Sequence, residues 1–291
     1  MFKKNYTLKY KLNPDVLKIY KVKSETLYRN PIIEAKNIFQ YDIEFKYERE
    51  GSFNSYIIKN NKVNFVNLSE KESLYEKALI EMEEPFSEIV YKISEKGEIL
   101  EIKNLDILQN KWLNKKIELQ KNYINHKNEM EYYIQNVDQV LNNPRLVNDY
   151  FQNFGINNIL YGGLYGQTYF LNNSKNLKLS IPNFLNFFPL PLKLEIITKN
   201  IDEKLDKLDL EIKGNLNPVL LDESGIRKMF EMNLPKEKIG ELEYNIDYNQ
   251  QISFYMSNGL VRTSDLSIVA QIYNKENQKE LFYNELKIKI V

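Results

Sequence analysis

The sequence predicts an α+β protein: a strongly curved, half-barrel-like antiparallel β-sheet with an inserted helical subdomain packed across it. Three observations predict this. Apolar and polar residues alternate along both ends of the chain, the middle switches to helical spacing, and the helices come as a block. A doubly wound sheet would need a helix between most pairs of strands, so it does not fit. Nor does any motif repeat at a period of roughly 20 to 50 residues, which excludes a solenoid or propeller. The expectation is one domain over residues 1–291, with the helical insertion at about residues 104–165.

The elements follow in order. Period-two alternation marks strands over residues 6–12, 16–22 and about 32–47. Two hairpins are then expected. Residues 56–59 and 62–66 flank Asn60-Asn61, a pair that tolerates positive φ, and residues 89–93 and 98–102 flank Glu95-Lys96-Gly97. Between them Ser69-Glu70-Lys71-Glu72 carries a capping box and opens a helix over residues 69–82. In the middle, Leu105, Leu108, Trp112, Leu119 and Tyr123 form one helical stripe, which Leu113, Ile117 and Ile124 are expected to widen. Met130, Tyr133, Ile134, Val137 and Leu141 give a second helix. Pro144 opens a third, along Leu146, Val147, Tyr150, Phe151 and Phe154. Gly162, Gly163 and Gly166 end the helical block. Strands return over residues 167–171, 177–181, 192–198 and 207–212, followed by a short helix over 223–232. Three runs close the chain, at 240–248, 252–273 through Asn258-Gly259, and 281–291.

Composition narrows the chemistry. The chain has 43% hydrophobic and 27% charged residues, which suits a globular core. Forty basic residues balance forty acidic ones, so the basic excess of most nucleic-acid binders is missing and nucleic acid is not an expected partner. With no cysteine there are no disulfides, thiolate metal sites or cysteine nucleophiles. No apolar run reaches the roughly 18 residues of a membrane helix, and no apolar stretch follows the basic start, so a cytoplasmic location is expected.

Candidate catalytic groups are sparse. His126 is the only histidine and lies in Asn125-His126-Lys127 between two helices, a solvated junction. Gly162-Gly163-Leu164-Tyr165-Gly166 lacks the Lys-Ser/Thr of a phosphate loop and reads as a helix terminator. Glu101-Ile102-Lys103, Glu211-Ile212-Lys213 and Glu285-Leu286-Lys287 repeat an acid and a lysine on one strand face. With Asp209, the second resembles the Asp…Glu-x-Lys core of restriction-type nucleases, in which two carboxylates hold magnesium. Three copies in unrelated places point instead to solvated faces of alternating strands. Lys111, Lys115, Lys116, Lys121 and Lys127 make the Trp112 helix locally basic, as the solvated face of an amphipathic helix would be.

The best candidate surface is the apolar, proline-broken segment over residues 181–192. Phe184, Leu185, Phe187, Phe188 and Leu190 are its binding candidates, with Tyr161, Tyr165 and Tyr169 just before it. Three prolines argue against a regular central strand there. The architecture resembles the half-barrel of bacterial lipoprotein carriers. No motif carries that likeness, so no residue role transfers. Three functions compete: a non-enzymatic protein-interaction module such as an adaptor, inhibitor or immunity-type partner; a carrier of an apolar or lipid-like ligand between sheet and helices; and, well behind, a magnesium-dependent hydrolase. No cofactor or catalytic residue is expected under the first two.

Overall fold

In the computed structural model the alternating runs become long antiparallel strands and the helices stand together as a block, so the α+β class holds. The structure describes residues 4–11, 17–31, 34–46, 55–67, 81, 84–86, 88–124, 127–153, 157, 159, 163–186, 188–235 and 237–290. Its contacts group into two compact units. A sheet unit comprises Met1–Leu8, Lys23–Phe39 and Gln167–Val291, and a helical unit comprises Lys9–Val22 and Gln40–Gly166. Strands β2 (Leu17–Arg29) and β3 (Glu34–Lys46) contribute residues to both.

The sheet unit is built on β8 (Ser174–Leu185), β9 (Phe188–Asp202), β10 (Lys207–Leu216), β11 (Leu242–Tyr255), β12 (Val261–Asn274) and β13 (Lys279–Ile290), each antiparallel to the next. β2 continues the order beyond β13, and β8 has β9 as its only neighbour, so the sheet does not close into a barrel. A small two-stranded ladder joins β1 (Asn5–Thr7) to β7 (Thr168–Phe170). Alternation along each strand sends one set of side chains inward, among them Leu192, Leu210, Ile252, Leu266 and Ile288, all buried. Helix α4 (Glu223–Asn233) adds Ile226 and Phe230 to that core, and its N-cap Asp222 accepts from the Gly225 N–H at 2.9 Å.

Polar residues interrupt the inner face at Thr198, Gln250, Ser264 and Asn284, all buried. Asn284 of β13 is buried, and its Nδ2 donates to the Phe184 carbonyl of β8 at 2.8 Å. Five strand spacings separate β8 from β13, roughly 24 Å in a flat sheet. The sheet of this unit therefore bends enough to bring the end of the β8–β9 hairpin over β13. The same hairpin end meets α4, where Asn186 Nδ2 donates to Met229 Sδ at 3.2 Å.

In the helical unit, β4 (Ser55–Asn67), β5 (Val90–Ser94) and β6 (Ile99–Ile102) pair in that order. Helices α1 (Leu105–Asn122), α2 (Lys127–Leu141) and α3 (Pro144–Asn153) follow. The β5–β6 turn has Gly97 at φ 77°, as its loop requires. Helix α3 closes the outer edge of β6 with side chains. The Ile99 N–H donates to Gln152 Oε1 at 2.7 Å, Gln152 Nε2 donates to the Gly97 carbonyl at 3.1 Å, and Asn148 Nδ2 donates to the Leu100 carbonyl at 3.2 Å. Unpaired strand groups are thus satisfied without a further strand.

Four expectations need correction. Residues 55–67 form one uninterrupted strand, with no hairpin at Asn60-Asn61. Asparagine tolerates positive φ but does not require it, and without glycine nothing forces a turn. The run over residues 6–12 is a strand only at Asn5–Thr7, although Leu8 and Tyr10 are buried. Residues 242–255 form a single strand where two runs were read. The proline-broken segment is strand too: Pro182 lies in edge strand β8, and Pro189 and Pro191 lie beyond Leu216↔Leu192, the last rung between β10 and β9. Pairing through Leu185↔Phe188 shifts register after Ile181, a bulge that accommodates the prolines. The helix expected over residues 69–82 lies outside the described residues, Glu81 excepted.

Gly214 of β10 marks the tightest point of the sheet. A Cβ there would lie 2.5 Å from Leu194 Cδ2 and 2.9 Å from Tyr248 Cβ. Leu194 can turn its methyl away, but Tyr248 Cβ is fixed to its backbone. Gly214→Ala is expected to cost roughly 1–3 kcal/mol in urea denaturation, with an unchanged m-value.

Candidate functional site

Helix α1 carries the most exposed apolar side chains of the helical unit, and its placement begins on its other side. Leu108, Trp112, Leu119 and Tyr123 recur at three- and four-residue spacing, with four- and seven-residue steps overall, and all are buried. Burying each leucine contributes about 1.5–3 kcal/mol. Trp112, the only tryptophan, stacks on Phe86 with ring centroids 6.1 Å apart, and its Nε1–H donates to Asp138 Oδ1 of α2 at 2.7 Å. Lys116 donates to the other oxygen of the same carboxylate. Lys115 bridges Glu84 at 2.6 Å and Glu118 at 2.9 Å. Burial pulls the Lys115 ammonium down, but the two carboxylates outweigh it and hold its pKa above the ordinary lysine value. Gln109 Nε2 donates to the Leu141 carbonyl at 2.8 Å, satisfying the end of α2.

The opposite side of α1 is apolar and uncovered. Leu113, Ile117 and Ile124 are 54%, 53% and 68% exposed, and Ile107 is half exposed. Leu113 and Ile117 fall within roughly 40° of one another around a 3.6-residue helix, about 120° from the Trp112 line, and Ile124 follows in the turn just past the helix end. The expectation that they widen the buried stripe is therefore wrong, because adjacent positions in sequence stand about 100° apart on a helix. The same sequence numbers, placed on a helical wheel, separate the two stripes. With Gln120 beside them, positions 113, 117 and 120 follow the four- and three-residue steps of a helix–helix seam. Lys121 borders the stripe without an acidic partner among the described residues, whereas Lys115 and Lys116 are consumed by the ion pairs above.

The candidates read from sequence lie elsewhere. Phe184, Leu185 and Leu190 are buried in the core of the sheet unit, and Phe188 is half-buried against Gly225 of α4. Tyr165 is buried in the helical unit, stacked on Tyr10 at 4.2 Å, and Tyr169 is buried in the sheet unit. Burial holds the Tyr169 hydroxyl above its ordinary pKa, and it stays a neutral phenol. Phe187, Tyr161 and His126 lie outside the described residues. Phe184, Leu185 and Leu190 thus supply core packing, and the hairpin end is brought to α4 and β13.

Asp209, Glu211 and Lys213 do share the outward face of β10, beside an open groove of about 460 Å³ lined by Lys199, Lys207, Ser253, Thr263, Asp265 and Lys289. Within this groove the two carboxylates of β10 are answered by neighbouring groups. Asp209 accepts from Ser253 and, at 2.9 Å, from Lys207; Glu211 is paired with Lys199 at 2.5 Å and Lys213 at 3.4 Å. Among the described residues no group of three or more acids, histidines or cysteines is placed to hold a metal. The hydrogen bond from Lys199 is the largest effect on Glu211 and holds its carboxyl below the ordinary value, with Lys213 adding to it.

Compared with known proteins, the sequence matches no protein-family model and no curated protein. Among the described residues no helix is long and apolar enough to cross a membrane.

Two outcomes follow. Asp138→Ala leaves the Trp112 N–H buried without an acceptor and is expected to cost roughly 1–3 kcal/mol. Asp138→Asn keeps an acceptor and loses less, with the lone tryptophan's fluorescence as the readout. Glu211 stabilises fully at neutral pH, because its folded pKa is depressed, and that contribution is lost as acid takes the pH down through the depressed value. Denaturation of Glu211→Gln between neutral pH and about pH 3 should show a flatter acid limb, with no change on adding magnesium.

Proposed function

We propose that this protein is a protein-interaction module that takes an amphipathic helix of a partner on the outer stripe of α1. The observation that carries the proposal is the exposure of Leu113 and Ile117 on one line of α1, followed by Ile124 in the turn just past its end, while the other side of the helix is locked by Trp112, Asp138 and Lys115. A rigid apolar surface of this kind loses little entropy on docking and removes three large side chains from water. Lys121 at its border favours a partner helix with an acidic flank. Asp209 and Glu211 of the β10 groove are both engaged by neighbouring lysines, which supports binding over hydrolysis.

The test is native mass spectrometry of protein purified gently from its own host, run beside the Leu113→Ser/Ile117→Ser/Ile124→Ser variant. The expected outcome is a companion chain that arrives with the unaltered protein and binds the variant at least tenfold more weakly, about 1.4 kcal/mol. The variant's melting curve should not move, since all three side chains are exposed. A companion retained in full by the variant overturns the proposal. A bound species of a few hundred daltons in its place makes the protein a carrier.

A further inference from the structure

We infer that the free side of β8, in the sheet unit, is a second docking edge, which receives an extended strand of another protein bearing acidic residues. It is separate from the α1 stripe and does not depend on it.

Edge strands of sheets are commonly short, bulged, covered or charged, because their unpaired N–H and C=O groups template further pairing. β8 runs the twelve residues Ser174–Leu185 and pairs with β9 alone. Among the described residues, its hydrogen bonds beyond the β9 ladder reach the Phe184 carbonyl, from Asn284, and leave residues 174–181 with an open side. The contrast with β6 is direct. That edge strand is four residues long and has Gln152 and Asn148 fitted onto its backbone. Among the described residues, β8 has no such plug. Its inward-facing Leu177 and Leu179 are half-buried, while Leu192 and Leu194, their partners on β9, are buried. The difference is the coverage that one more strand would provide.

Charge selects the occupant. On the outward face Lys178 stands directly opposite Lys193 of β9, and Asn215 of β10 follows Lys193 on the same rung. Like charges directly opposite on neighbouring strands repel. Neither lysine has an acidic partner among the described residues; Glu195 lies two rungs along, opposite Asn176. An incoming strand with an acid opposite Lys178 removes that repulsion and adds an ion pair at the rim. Lys175 is engaged with Gln167 Oε1 at 3.4 Å, and Pro182 ends the regular stretch. The open edge therefore spans residues 174–181, about 27 Å of strand. Its lysines also hold off strands that lack the acid, which is how edges avoid indiscriminate pairing.

The test uses a nine-residue peptide of alternating glutamate and valine, with the lysine–valine peptide of equal length as control. Amide hydrogen exchange of the full-length protein is followed residue by residue. The glutamate peptide should slow exchange at least tenfold at the open-side amides of residues 174–180 and leave those of β6 and α1 unchanged. In Lys178→Glu/Lys193→Glu, both exposed positions, the preference should reverse to the lysine peptide with an unaltered melting curve. The same protection should appear in the α1 stripe variant, which separates this edge from the α1 surface. No protection at millimolar peptide, or equal protection by both peptides, overturns the inference. Protection that grows with protein concentration in the absence of peptide overturns it too, and assigns the edge to a second copy of this chain.

Discussion

Each residue of a β-strand brings one backbone donor and one acceptor, pointing to alternate sides along the strand, and on the two edge strands of a sheet half of these groups have no strand to meet. That requirement organises much of this protein. Within the sheet unit, six consecutive antiparallel strands settle the account internally, with β2 beyond β13 and β8 exposed at the other end. In the helical unit the same demand explains why α3 lies where it does. Two amide side chains on its surface are spaced one turn apart, Asn148 and Gln152, and between them they reach Leu100, Ile99 and Gly97. Pro144 starts α3 immediately after α2, which fixes the turn on which those amides project.

The helical block is held by a shared carboxylate as much as by apolar packing. Asp138 accepts from Trp112 and Lys116, and so ties α1 to α2 from a half-buried position. Lys115 ties α1 to the 3-10 turn Glu84–Phe86 through Glu84, and Phe86 covers both Trp112 and Phe151. With its inner side committed this way, α1 cannot rotate to bury Leu113, Ile117 and Ile124, and their exposure is a fixed property of the surface. A buried polar pair does comparable work in the sheet unit. Asn284 to the Phe184 carbonyl specifies where the hairpin end rests on β13, and sliding β13 by one residue would turn Asn284 outward.

Much of this was readable from residue spacing alone. Gly97, Gly259 and the Asp222 cap stand where local chemistry demands a turn or a helix start, and the α1, α2 and α3 spans follow from apolar periodicity. Where the reading failed, the deciding contact was distant or the signal was permissive. Asn60-Asn61 allows a turn without requiring one, so the extended strand won. The apolar residues at 184–190 signal burial as readily as binding, and the partners that decide it, Gly225, Met229 and Asn284, come far later in the chain. Gln152 and Ile99 are 53 residues apart, and nothing in the spacing of either announces their hydrogen bond. On α1 the numbers sufficed, and the error lay in merging two stripes that a wheel keeps apart.

The path of the chain between the two units has a consequence for how the molecule is made. The chain enters the sheet unit three times, and neither unit is a continuous stretch of sequence. Strand β2 leaves the ribosome long before its neighbour β13, and the ion pair Arg29–Glu280 joins residues 251 apart. Every residue of the helical unit precedes Gln167, so that unit can form first, while the sheet unit waits for strands β8 to β13. A thirteen-residue strand meanwhile keeps one side unpaired until β13 is made, which makes the nascent chain a natural client of chaperones.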